Sequence, residues 1–190
     1  MKSRSLALII MILIAAAPIL CVAASASAQA AKTAAAYIAE AQALANGGKL
    51  AEAITLLQEA AAAHPQSPEV FAYLGSYVGQ TAGQQGANYT EAMRIMTESY
   101  GYLDKAIELG PENPLGYFYR GIMSVNVPVF LGKLPAGIAD MKKVVEIHGK
   151  TPAAVAPEML VTAHLMLGRG YEAGANPVDA RATLHAHMEL

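Results

Sequence analysis

Apolar residues recur along this chain at intervals of three and four, in short blocks cut by Gly and Pro. That period is the mark of helices with one buried face, and no segment carries the two-residue alternation of a strand. Eight blocks predict eight helices, roughly 33–46, 50–63, 68–82, 89–109, 114–126, 135–148, 156–173 and 177–188. The stretch LDKAIELGPENPLGYFYRG, Leu103 to Gly121, shows how they are punctuated. Gly110 is placed to close one helix in a left-handed conformation, Pro111 cannot continue it, and Pro114 suits the first turn of the next. The helix ending at Leu109 is long, and Tyr89–Thr97 is expected to project as two extra turns. TAGQQGAN (81–88) and NVPVFLG (126–132) are rich enough in Gly, Pro and Asn to be mobile loops.

The punctuation belongs to a repeated phrase. Phe71…Gly75, Tyr117…Gly121 and His164…Gly168 each set an aromatic or His four residues before Gly, and Tyr37…Ala41 is the same phrase with Ala. A second helical pattern follows each one, with a small residue and then a large apolar residue four later: Ala53/Leu57/Ala60, Ser99/Leu103/Ala106, Gly137/Met141/Val144 and Ala180/Leu184. Pro65 and Pro111 close the first two units. Small residues on paired helices let the backbones approach, so Gly121 and Gly168 are expected at helix–helix contacts. One helix pair cannot bury its apolar face alone, whereas stacked pairs share a core.

This pattern resembles the tetratricopeptide repeat, a helix–turn–helix unit of 34 residues, and the resemblance spans Ala34 to Leu190. It implies an all-α fold, a right-handed α-solenoid of about four such repeats. Units two and three depart from the period through insertions around GQQGANYTEAMRIMT and NVPVFLG. The alternative is an Ala-rich helical bundle that mimics the repeat.

Residues 1–30 read as a signal peptide: Lys2 and Arg4, the apolar run LALIIMILIAAAPIL, then an Ala28-Gln29-Ala30 cleavage site. A periplasmic chain of 31–190 is expected, with an uncleaved anchor as the alternative. Leu20 is bulky where a lipoprotein signal carries a small residue, which argues against lipid on Cys21. Without Lys2 and Arg4 the chain has 11 basic against 15 acidic residues, net −4. That balance argues against nucleic acid as a partner, because phosphate binding needs a basic footprint. Cys21 is the only cysteine, so the exported chain is neither a disulfide scaffold nor a thiol enzyme.

Catalytic and cofactor motifs are missing. Gly149-Lys150-Thr151 lacks the upstream Gly of a phosphate-binding loop, and there is no H-E-x-x-H or G-x-S-x-G. His185 and His187 sit two apart, which sends them to different sides of a helix, and His164 takes the aromatic position of its repeat. The reading is of a binding protein and not an enzyme, with no metal and no cofactor.

In tetratricopeptide proteins the first helix of each unit lines the concave surface where partners bind. The resemblance places Ile38 and Gln42 there from unit one, and Ser76 and Gly79 from unit two. Leu115, Phe118, Ile122 and Val125 follow from unit three, with Leu165 and Arg169 from unit four. The third-unit residues share one helical face and would form an apolar groove, unless the insertion shifts the register and makes Phe118 core. Gly75, Gly79 and Gly83 recur at four-residue spacing; each interior helical Gly costs about 1 kcal/mol relative to Ala, so either a ligand or a neighbouring helix comes close. Two functions stay open. One is an envelope adaptor that holds a segment of a partner protein. The other is a carrier or receptor for a small apolar, lipid-like ligand of a transport system, favoured by a pocket capped by NVPVFLG and the long second-unit helix.

Overall fold

The computed structural model describes residues 32–86 and 88–174. The predicted signal peptide and the helix expected over 177–188, with His185 and His187, lie outside them. Seven α-helices and no strand occur among the described residues: α1 (Ala34–Asn46), α2 (Leu50–Ala63), α3 (Pro68–Ala82), α4 (Tyr89–Leu109), α5 (Pro114–Asn126), α6 (Leu134–Lys150) and α7 (Pro157–Ala173). Three short 3-10 turns, Gly83–Gln85, Val129–Leu131 and Pro152–Ala154, sit in the connections.

Local chemistry sets the helix starts. Thr33, Ser67, Asn88 and Asn113 each accept a hydrogen bond from a first-turn backbone N–H through the side-chain oxygen. Such caps satisfy donors the helix itself cannot pair. Pro68, Pro114, Pro135 and Pro157 occupy first-turn positions, where a missing N–H costs nothing. Gly110 corrects an expectation. Its φ of −142° is not left-handed. A side chain would be crowded there for another reason: a Cβ would lie 3.0 Å from the Pro68 ring, which stacks the start of α3 over the end of α4.

Pairs α1/α2, α3/α4 and α5/α6 pack as helical hairpins, and α7 stacks on α5 and α6. The fold is an all-α solenoid. Its hairpins close through the small residues the repeat supplies. Ala41, Ala53 and Ala60 are fully buried in the first pair. In the third, a Cβ on Gly121 would lie 2.5 Å from Met141 Cε and 3.3 Å from the Gly137 carbonyl oxygen. Gly168 is buried as well.

Two hydrophobic clusters form the core. One gathers Ala41, Leu57, Leu74, Val78 and Ile95 from the first four helices; the other gathers Val125, Met141, Val144, Leu160, Leu167 and Tyr171 from the last three. Arg120 on α5 ties the neighbouring hairpins together. It donates two parallel bonds to the buried Asp140 of α6, 2.7 and 2.9 Å, and one of 2.6 Å to Asp104 of α4. The expected projection over Tyr89–Thr97 is only partly present: Tyr89 and Met93 stand exposed, but Ile95 is buried in the first cluster. Both predicted loops carry hydrogen-bonded turns, with Asn88 donating to the Gln85 carbonyl and Leu131 to that of Pro128.

Candidate functional site

A hollow of about 620 Å³ opens where α3, α4 and α5 meet, between the second and third hairpins. Its size falls in the range of small-molecule and side-chain pockets. Leu103 and Ser99 of α4, both fully buried, form the floor, and Tyr119, Ile122 and Met123 of α5 make one wall. Gly79 of α3 and Gly83 of the 3-10 turn after it make the other, and Ala92, Met96, Val127 and Pro128 complete the lining.

Glycine creates this space. A Cβ on Gly75 would lie 2.7 Å from Leu103 Cγ, so that residue serves helix contact. One turn later, a Cβ on Gly79 would meet Ser99 Oγ at 2.8 Å and Met123 Sδ at 3.0 Å. One turn later still, Gly83 has nothing within 4 Å of its Cβ position. Helices α3 and α4 therefore pack closely at Gly75 and Gly79, whereas the Gly83 position, past the end of α3, is open.

No charged side chain lines it. The Ser99 hydroxyl donates to the Gly75 carbonyl oxygen at 2.7 Å, and Asn126 Nδ2 donates to the Ile122 carbonyl at 2.8 Å. Burial, reinforced by Tyr73, holds the Tyr119 phenol far above its ordinary pKa, so it stays neutral. Gln80 and Asn126 are the exposed polar residues of the lining. Such a site rewards apolar surface and offers no anchor for a charge.

Among the residues expected at a binding groove, the hollow brings Ser76, Gly79 and Ile122 together. Leu115 lines a separate depression with Glu69, Glu112, Asn113 and Met159. Phe118 is half-buried, packs on the second core cluster and meets the Tyr119 ring at 5.4 Å. Val125 does not line an open groove: it is 9 % exposed and lies 3.0 Å from the Cβ position of Gly137, facing α6. The spacing that put Val125 on a face with Ile122 also turns it far enough to reach the neighbouring helix. Ile38 packs into the first cluster and Gln42 is half-buried on α1, while Leu165 and Arg169 are exposed on α7.

The sequence reading expected the long second-unit helix and NVPVFLG at an apolar pocket, but it did not name Met96, Ser99 and Leu103 of α4, or Tyr119 and Met123, as its lining. The signals that point to them were the four-residue glycine spacing and the two insertions, whose residues meet at one end of the hollow. His164 is half-buried and donates from Nδ1 to the Leu160 carbonyl at 3.0 Å. Among the described residues no group of three or more His, Cys, Asp or Glu is placed to hold a metal ion.

A family model of the tetratricopeptide repeat matches residues 34–77. The crystal structure of MamA protein is similar at a TM-score of 0.57 and 16 % identity, over 83 % of this chain and 73 % of that one. The crystal structure of TTC0263, a thermophilic TPR protein of Thermus thermophilus, aligns at a TM-score of 0.39 and 17 % identity, over 83 % and 91 % of the two chains. No curated protein matches. The family match and the MamA likeness support a tetratricopeptide-type helical repeat fold, and proteins of that fold generally bind protein partners.

Proposed function

We propose that this chain is an exported, periplasmic adaptor that grips an apolar segment of a partner protein as part of an envelope or transport complex. The observation that carries the reading is the uncharged hollow between α3, α4 and α5. An apolar side chain or helix edge entering it would be desolvated against Met96, Ile122 and Met123. Burying each large apolar side chain supplies about 1.5–3 kcal/mol. Gln80 and Asn126 would then set orientation. The reading involves no catalysis, metal or cofactor.

A second reading keeps the site and changes the occupant to a small apolar, lipid-like molecule. The absence of charge from the lining favours it, as do Val127 and Pro128 of the α5–α6 connection and Ala92 and Met96 of α4 in the lining. Photo-cross-linking from positions 80 and 126 in envelope preparations, with protein and lipid mass spectrometry, tests both. A protein adduct supports the adaptor, and a lipid adduct alone replaces it with the carrier. No adduct above that from position 172, on exposed α7 surface, rejects the site.

A further inference from the structure

Two of the residues that line the hollow are methionines brought from different helices, Met96 of α4 and Met123 of α5. They are also its most readily oxidised groups. Cys21 is the only cysteine and lies outside the described residues, so thioethers are the sulfur chemistry of the described helices. A thioether is apolar and polarisable; its sulfoxide is polar and carries an exposed acceptor oxygen.

Met123 is held where that change would be felt. Its Sδ lies 3.4 Å from the Ser99 oxygen, and a Cβ on Gly79 would meet it at 3.0 Å. Ser99 and the Gly79 backbone flank the sulfur, and the hollow opens beside it. At about 620 Å³ the hollow has room for a molecule as small as hydrogen peroxide. The Ser99 hydroxyl has one hydrogen, which it gives to the Gly75 carbonyl oxygen at 2.7 Å. A sulfoxide oxygen on Met123 would compete for that hydrogen where α3 and α4 close.

Met96 stands one turn before Ser99 on α4. It lines the hollow and also a second depression with Thr97, Tyr100 and Lys133, so it is reached from two sides. The other methionines differ. Met141 and Met166 are buried in the core, Met159 packs against the second cluster, and Met93 is 43 % exposed but absent from the hollow.

We propose that Met96 and Met123 form a reversible oxidation site that closes the hollow to apolar ligands. Hydrogen peroxide is the oxidant. A lone pair on Sδ attacks one peroxide oxygen, an S–O bond forms as the O–O bond breaks, and a proton shift releases water. Sulfur gives up the electron pair that the peroxide gains, leaving one sulfoxide and one water for each methionine. The proposal rests on the hollow being the apolar binding site and adds how that site is switched off.

The full chain is titrated with N-phenylnaphthylamine, an uncharged apolar fluorophore, before and after peroxide treatment, and peptide mass mapping locates each added oxygen. Met93 is expected to oxidise first, Met96 and Met123 next, and Met141 and Met166 last. Oxygen on Met96 and Met123 should weaken the probe by at least about tenfold, because polar groups then face its apolar surface. The melting transition should stay cooperative, and sulfoxide reductases for both epimers should restore binding. A Met96→Leu/Met123→Leu chain, measured against its own untreated affinity, should change by less than about twofold, since Leu keeps the volume without the sulfur. Met93→Leu should keep the full effect. Three results overturn the proposal: unchanged affinity with both sulfurs oxidised, equal loss in the double variant, or oxidation of the two sulfurs only after unfolding. No probe binding by the untreated chain, or binding indifferent to Gly83→Phe at the rim, removes the apolar site itself and the switch with it.

Discussion

Ser99 donates its hydroxyl hydrogen to the carbonyl oxygen of Gly75 across 2.7 Å, joining α4 to α3 where both residues are buried. The contact exists because Gly75 has no side chain, and it marks where α3 and α4 close. Gly75 lies inside α3 and Gly83 just past its end, and only the first is crowded.

That difference predicts opposite effects from one substitution. In Gly75→Ala the new Cβ would sit 2.7 Å from Leu103 Cγ and 3.0 Å from the Ser99 carbonyl. Overpacking of about 1–3 kcal/mol should outweigh the roughly 1 kcal/mol returned by helix propensity. Gly83 has αR backbone and open space around it, so Gly83→Ala should stabilise by about 0.4–1 kcal/mol. Thermal denaturation reads both, at about 2–4 °C per kcal/mol for a chain of this size. Equal shifts would mean that α3 and α4 do not close at Gly75.

The ion group on α5 gives a second test. Asp140 is 4 % exposed, and Arg120 meets it through two parallel N–H bonds. Arg120→Met leaves a buried carboxylate unpaired and should cost about 3–5 kcal/mol. Arg120→Lys should recover only part of that, since an ammonium cannot reproduce the fork. Asp104→Ala should cost about 0–1 kcal/mol, because that carboxylate is largely exposed and screened. Denaturant midpoints at constant slope check the order. A mild Arg120→Met would show that water reaches Asp140.

How much of this was legible follows from which forces are local. Caps, first-turn prolines and apolar period act within a few residues, so the helices from Ala34 to Ala173 stand within two residues of their sequence-based limits. The Gly121 contact was legible too, because the repeat phrase encodes which small residues meet. Val125 was not. Helix α5 touches α3, α4, α6 and α7, so apolar residues occur on several of its faces and periodicity alone cannot say which one stays open. The hollow depends on three helices and on residues missing from the α3 wall, which only the tertiary arrangement reveals.

Half-buried phenols predict behaviour in alkali. Burial is the largest cause of the raised pKa of Tyr77, Tyr100, Tyr102 and Tyr119, and the rise is greatest for Tyr119. A raised native pKa means the native state keeps its protons while the unfolded chain releases them. Their contribution is fully present below the unfolded value of about 10 and is lost as pH rises above it. Stability should therefore fall in that range, with phenolate absorbance appearing together with unfolding. Tyr119→Phe should make the fall shallower by up to one proton's worth. An unchanged slope would place the Tyr119 hydroxyl in water.

The hollow itself can be tested by filling it. Gly83 lines it, adopts αR backbone and has an open Cβ position, so Gly83→Phe adds a ring at the rim of the hollow without disturbing a packed contact. A ring there competes for the volume that a bound apolar group needs. If the occupant loses two buried side-chain contacts at about 1.5–3 kcal/mol each, affinity should drop by at least about 100-fold, at roughly 1.4 kcal/mol per tenfold. Helicity by circular dichroism and the melting temperature should not fall, which separates this from a folding defect. Phe118→Asp cannot serve the purpose, because that ring packs on the core. The partner recovered by cross-linking at Gln80 is the ligand to titrate, by fluorescence anisotropy, against wild type, Gly83→Phe and Leu165→Asp. Leu165 is 44 % exposed on α7 and absent from the hollow, so its substitution should leave affinity unchanged. The reverse result, with Gly83→Phe binding normally and Leu165→Asp weakened, would move the partner to the surface formed by the first helices of the repeats. The hollow would then be a packing gap among α3, α4 and α5.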